Sequence, residues 1–201
     1  VPIRIQPSHG LAVLVMACAK GQAAPGDPSR FDPVARYDEV ANFAGSGLKL
    51  RQLSAKGVKE DGTVDLEEER YSTGVEYHFA KSISPPADAP PVGAGGSATW
   101  HQRVLVLLSK AGDVGEETDQ HGSRRVVSKG MRRVEPEPDS GPPPPDLPAP
   151  KCGFAELWKQ AREAGAPAGA VANIDYMNDR YAFRVSDVGF TLEFDIDCAL
   201  F

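Results

Sequence analysis

Apolar residues recur along the last fifty positions with two distinct periods. In FAELWKQAREAG, Phe154, Leu157, Trp158 and Ala161 fall at i, i+3, i+4 and i+7. That spacing places one apolar stripe on an α-helix. Gly165 suits the left-handed cap that ends such a helix, and Pro167 bars its continuation. Three runs of period two follow: Ala172, Ile174 and Tyr176; Tyr181, Phe183 and Val185; then Leu192, Phe194 and Ile196. Arg184, Glu193, Asp195 and Asp197 alternate with them, as in short strands with one buried face. Asn178-Asp179 supplies the turn between the first two runs. The pattern predicts a helix lying across a three-stranded meander, with Trp158 at the centre of the contact.

A weaker version of the same order occurs near the start. Asp32 and Pro33 form a helix-start signal, with Val34, Tyr37, Ala41 and Ala44 on one stripe. Three strand-like runs, LKLRQLSAKGV, TVDL and GVEYHFA, come next, the first two divided by the hairpin signal Asp61-Gly62. Residues 100–110 and 123–136 read as two further strands, and Val104 to Leu108 is apolar on both faces. A strand of that kind is covered on each side. The predicted fold class is α+β: antiparallel β meanders, each with a helix packed on one face.

Two low-complexity stretches punctuate the chain. Residues 84–98 form a Pro/Gly-rich loop, and residues 136–150 hold eight of the chain's 18 prolines. Proline lacks the N–H of a sheet ladder and restricts the residue before it, so 136–150 favours an extended spacer or surface strap. The expected organisation is a leader over 1–17, a flexible tether over 18–30 and an N-terminal α+β domain over 31–135. A Pro-rich linker over 136–150 and a C-terminal helix-plus-meander module over 151–201 complete it.

The leader carries a pattern of its own. Arg4 precedes the uncharged apolar run Leu11–Ala17, and small Ala17 precedes Cys18. This is the order of a secretory signal, and Val15-Met16-Ala17-Cys18 resembles the lipobox of bacterial lipoproteins, Met16 departing from the usual small residue. The resemblance implies a diacylglycerol on the Cys18 thiol, cleavage before it, and further acylation of the palmitate type. The rival reading makes Leu11–Ala17 a buried strand or short helix and Cys18 an ordinary thiol. The following AKGQAAPGDPSR offers no apolar face and reads as a tether. No run approaches the roughly 18 apolar residues of a membrane span, so the membrane is a partner through the lipid anchor alone. More than one acyl chain is needed for a firm hold. As a whole the chain resembles exported lipoproteins of high-GC bacteria, which implies an extracytoplasmic, membrane-anchored place in the cell envelope or periplasm.

Composition agrees with that reading. The formal charge is -6, and removing residues 1–17 takes away only the basic Arg4. An acidic surface disfavours nucleic acid as a partner. The one basic cluster, Arg124, Arg125, Lys129, Arg132 and Arg133, is local and reads as a solvated strand face or an anionic-ligand patch. Setting Cys18 aside leaves Cys152 and Cys198, an even pair in a chain bound for an oxidising compartment. A bridge between them would close a loop of about 47 residues and contribute roughly 4 kcal/mol by the chain-entropy argument.

Chemistry-bearing motifs are sparse. The chain has no Gly-rich phosphate loop, HExxH, G-x-S-x-G or EF-hand spacing. Glu193, Asp195 and Asp197 would share a strand face, but at about 6.5 Å apart they do not converge as a hard cation requires. His78, His101 and His121 form a site only if the fold brings them together. Ser123 and Ser128 lie near His121 in sequence without an evident oriented carboxylate. The expectation is therefore no metal, no cofactor and no catalytic residue. The helix-plus-three-strand order of the last fifty residues loosely resembles the PepSY-like modules of exported bacterial proteins. That likeness implies inhibition or regulation of an envelope peptidase. Three functional readings stand at this point. They are an interaction or structural protein with an envelope-protein partner, a small-ligand or glycan binder around Trp100, Tyr71 and Tyr77, and the peptidase regulator. A hydrolase would further require His101 or His121 beside a hydroxyl, thiol or carboxylate.

Overall fold

A computed structural model describes residues 21–68, 73–87, 99–109, 115–118, 124–127 and 130–201. The expected leader and most of the expected Pro/Gly-rich loop, residues 88–98, lie outside them. Among the described residues the fold is mostly antiparallel sheet with two α-helices, an α+β arrangement. Strands β2 (Lys49–Val58), β3 (Gly74–Ile83) and β4 (Trp100–Ser109) pair in sequence order. β5 (Gly115–Thr118) and β6 (Arg124–Val127) form a separate two-stranded ribbon. β7 (Gly130–Val134) lies beside β4, with β1 (Gly21–Gln22) outside it and β8 (Asp139–Ser140) on the start of β4. On the other flank, β9 (Ala172–Met177), β10 (Arg180–Val185) and β11 (Phe190–Asp195) form a meander. β2 pairs with β9, so the two expected modules share one sheet in the order β1-β7-β4-β3-β2-β9-β10-β11.

The buried face follows the period-two pattern along β9 and β10 and over most of β3 and β4, whereas β2 has register shifts and buries Leu53, Ser54 and Ala55 in succession. One register row runs Val106, Tyr77, Leu53, Tyr176, Tyr181 and Phe194, all 1% exposed or less. Tyr176 and Tyr181 stack with centroids 4.4 Å apart. The helices contribute to the same core. α2 (Phe154–Glu163) buries Phe154, Leu157, Trp158 and Ala161, the four residues of the sequence stripe. Trp158 meets Phe183 edge-on at 4.9 Å and donates its indole N–H to the Val58 carbonyl at 3.2 Å. The helix ends in a Schellman arrangement: Gly165 has φ +101°, and Ala166 N–H reaches the Ala161 carbonyl at 2.8 Å. α1 (Tyr37–Ala44) buries Val40 and Ala44, and Tyr37 sits 6.4 Å from the rings of both Tyr77 and Phe79. Asp32 caps the chain as its sequence signal predicts, its carboxylate accepting the N–H groups of Val34 and Ala35, but the turn it caps precedes the helix, which begins at Tyr37.

Several segments depart from expectation. TVDL is not a third meander strand. Val64 makes single bridges to Val58 and Phe31, and Asp65 then turns the chain by accepting the Glu67 N–H. β3 consequently pairs directly with β2. Part of the expected tether is fixed structure: β1 pairs with β7, Pro28–Arg30 form a 3-10 turn capped by Asp27, and Leu66 N–H bonds the Pro28 carbonyl. The proline-rich stretch lies along the sheet as a strap. Leu147 is 6% exposed and bridges Leu50, beside β2 where β9 has run out. Arg51, its side chain 7% exposed, pairs with Asp146 and donates to the Pro144 carbonyl. Tyr176 adds a bond to the Pro148 carbonyl at 3.4 Å.

Candidate functional site

The face of the sheet opposite the core carries the polar members of each alternation. Its centre is the register row Glu76, Ser54, Asp175 and Ala182, drawn from β3, β2, β9 and β10. Asp175 accepts hydrogen bonds from the Ser54 hydroxyl and from the Arg184 guanidinium. Neighbouring Asn173 accepts the Gly57 N–H at 3.4 Å and donates to Ser186 Oγ at 3.3 Å. Glu76 lies 4.0 Å from Lys56 and 3.4 Å from His78. Further out, Arg180 pairs with Glu193 at 3.0 Å and lies 5.7 Å from the ring centre of Phe201, which is 75% exposed.

Ser54 is 7% exposed and donates a hydrogen bond to a carboxylate, and His78 meets Glu76 rather than a hydroxyl. The carboxylate that Ser54 meets is itself paired with Arg184, and the row's imidazole is turned to Glu76. The row is a set of matched charges and hydrogen bonds on an open strand face.

A second polar cluster closes the far end of the same face. His101 is 6% exposed, with Nδ1 at 3.1 Å from the Gly141 carbonyl and Nε2 at 3.6 Å from Asp139. Arg103 also pairs with Asp139. β8 is thereby fastened to β4 through side chains as well as backbone. His101 lies four positions along β4 from Leu105, the register partner of His78, so the two imidazoles are roughly 13 Å apart along the strands. His121 lies outside the described residues.

The remaining sequence candidates disperse. Tyr77 is in the core and donates its hydroxyl to the Pro33 carbonyl at 2.7 Å. Trp100 is half-buried at the start of β4, and Tyr71 lies outside the described residues, as do Ser123, Ser128, Lys129 and Cys18. The backbones of Arg124 and Arg125 lie in β6, and Arg132 and Arg133 in β7. Asp195 does not join Asp197 around a cation. Its carboxylate accepts the N–H groups of Asp197 and Ala199 at 2.9 Å and shapes the turn after β11. Among the described residues no three His, Cys, Asp or Glu side chains gather as a metal site, and no helix is long and apolar enough to cross a membrane.

Cys152 and Cys198 lie at disulfide distance, with Cα atoms 5.5 Å apart. Cys198 reaches that position from a turn with φ +68°, not from a continuing strand, since β11 ends at Asp195. Gln160 of α2 donates to the Cys198 carbonyl at 2.8 Å, and the Tyr181 hydroxyl accepts the Lys151 and Cys152 N–H groups. The start of α2 and the turn after β11 thus meet at one corner.

The chain matches no protein-family model, no curated protein and no solved structure.

Proposed function

We propose that this chain is an exported lipoprotein, anchored through an acylated Cys18, whose open sheet face receives a partner in the cell envelope. The observation that carries the reading is the meeting of Cys152 and Cys198 at disulfide distance, because structural bridges belong to oxidising compartments outside the cytoplasm. The apolar run ending in Ala17-Cys18 is the matching export and acylation signal. In this reading α1 and α2 lie against the buried side of the sheet, and the row Glu76, Ser54, Asp175 on the other side is the contact surface. Its groups are saturated with local partners, which favours recognition over bond-making chemistry. The glycan-binding alternative loses Tyr77 to the core, and nothing specific to the structure favours the peptidase regulator.

The test is an intact-mass measurement of the protein extracted from membranes of cells expressing the full sequence, before and after reduction. The expected result is a chain beginning at Cys18, heavier by its acyl groups, which gains two hydrogens on reduction. An unprocessed, unacylated chain with free Cys152 and Cys198 would overturn the reading.

A further inference from the structure

We propose that the bilayer surface is itself the docking partner of the β1–β7 edge, the sheet standing edge-on upon the membrane that holds Cys18. This rests on the lipid-anchor reading. Only three residue steps separate Cys18 from Gly21, the first residue of β1. An extended chain spans at most about 3.6 Å per residue, so the edge stays within about 11 Å of the acylated residue.

The connection has little slack on its far side. Gly21 pairs with Arg132 and Gln22 with Met131. Gly130 has φ +79°, and a Cβ there would lie 2.5 Å from the Gln22 carbonyl, so β1 sits close upon the start of β7. The chain then enters the core at Phe31, 1% exposed, whose N–H bonds the Val64 carbonyl at 3.0 Å. Residues 21–31 therefore cannot pay out as extra tether without breaking the fold.

β1 is the outermost strand at one end of the sheet and β11 at the other, seven strand spacings away. At about 4.8 Å each, that is roughly 34 Å measured along the sheet, three times the reach of the tether. The tether holds the β1–β7 edge at the lipid, and the edge-on stance carries the corner where α2 meets the turn after β11 away from it. Lys20 immediately precedes β1 in the sequence, and Arg132 and Arg133 lie in β7, so basic residues accompany this edge where anionic headgroups would meet them. Arg133 already pairs with Glu135 and bonds the Ala44 carbonyl. The short tether, rather than charge, sets the placement.

The test uses the acylated full chain in vesicles of phosphatidylethanolamine and phosphatidylglycerol bearing a headgroup nitroxide. A fluorescent non-natural amino acid replaces either Ala23 or Thr191, both exposed. Quenching is expected to be several-fold stronger at position 23 than at 191, and to persist in high salt. Inserting about twenty Gly/Ser residues between Ala19 and Lys20 should lower the position-23 signal to the level of 191. Equal quenching at the two positions in acylated protein overturns the edge-on placement. Strong quenching at 23 despite the long insert overturns the tether as its cause. A product whose mass shows no acyl group fails earlier, at the anchor reading, and takes this proposal with it.

Discussion

Two glycines with nearly the same backbone angle separate conformational strain from close packing. Gly47 has φ +73°, and a Cβ added there would meet nothing within 4 Å, whereas a Cβ on Gly62, φ +81°, would sit 2.4 Å from the Ala155 nitrogen at the start of α2. Gly47→Ala should cost about 1 kcal/mol, the ordinary penalty of a left-handed L-residue. Gly62→Ala should cost roughly 3 kcal/mol or more, because the hairpin tip must also move off the helix. Urea denaturation midpoints measure both, and equal losses would show that the tip and α2 are not tightly apposed. Single residues were legible wherever local backbone chemistry decides them. Asn178 and Asp179, φ +52° and +58°, make the two-residue hairpin their identities predict, and Gly165 caps α2. Ser54 and Asp175 were not legible, since they are 121 positions apart and meet only because β2 pairs with β9.

At the scale of elements, period and composition carried different amounts of information. The 3.6-residue stripe of α2 and the alternation of β9, β10 and β11 report the burial of a face, which packing enforces directly. Composition described the two polar stretches incompletely: it allowed a surface strap over 136–150 but read residues 21–30 as a free tether. Gly, Pro and charge describe a chain's intrinsic tendency, and neither the segment before Phe31 nor 136–150 has an apolar face of its own. Both are nonetheless held by groups elsewhere in the chain: residues 21–22 by β7, and the strap by Leu50, Arg51 and Tyr176. Leu147 and Pro150 are the buried residues of the strap, and Leu147→Ala should lower stability by about 2 to 4 kcal/mol, as truncating a buried leucine does. Amide exchange around Leu147 should accelerate more than exchange in β3. Uniform acceleration would mean that the strap has no local stability apart from the sheet. The bridge corner acts on a longer loop. With Cys152 and Cys198 46 positions apart, Cys152→Ala should cost up to roughly 4 kcal/mol, read as a lower urea midpoint that added reductant no longer shifts.

Among the described residues, the strands apart from the β5–β6 ribbon form one sheet over one core. Its sequence reads as two modules because nothing in a strand's alternation says which other strand lies beside it. The same continuity makes the fold respond to alkali as a unit. Tyr77, Tyr176 and Tyr181 occupy one register row with Leu53, and each is 1% exposed or less. Burial pushes the Tyr77 hydroxyl well above its ordinary range, with the Asp32 charge adding to the shift. Burial also raises Tyr176, reinforced by the Tyr181 phenol. It raises Tyr181 too, against the opposing pull of the Cys152 and Lys151 N–H groups. In the unfolded chain these phenols ionise near pH 10. Each folded value is higher, so the neutral form binds its proton more tightly in the native state. The corresponding stability is complete below about pH 10 and is lost progressively above it. Tyrosinate absorbance and far-ultraviolet circular dichroism, followed together from pH 9 upward, should therefore change in one coincident transition for these three residues. Replacing Tyr77 with Phe removes one of the protons that drives it and should move the transition to higher pH, offset by the lost bond to the Pro33 carbonyl. Phenols that titrate fully while the dichroism stays native would show that water reaches the row in the folded state, and that the two halves of the sheet do not close on a common core.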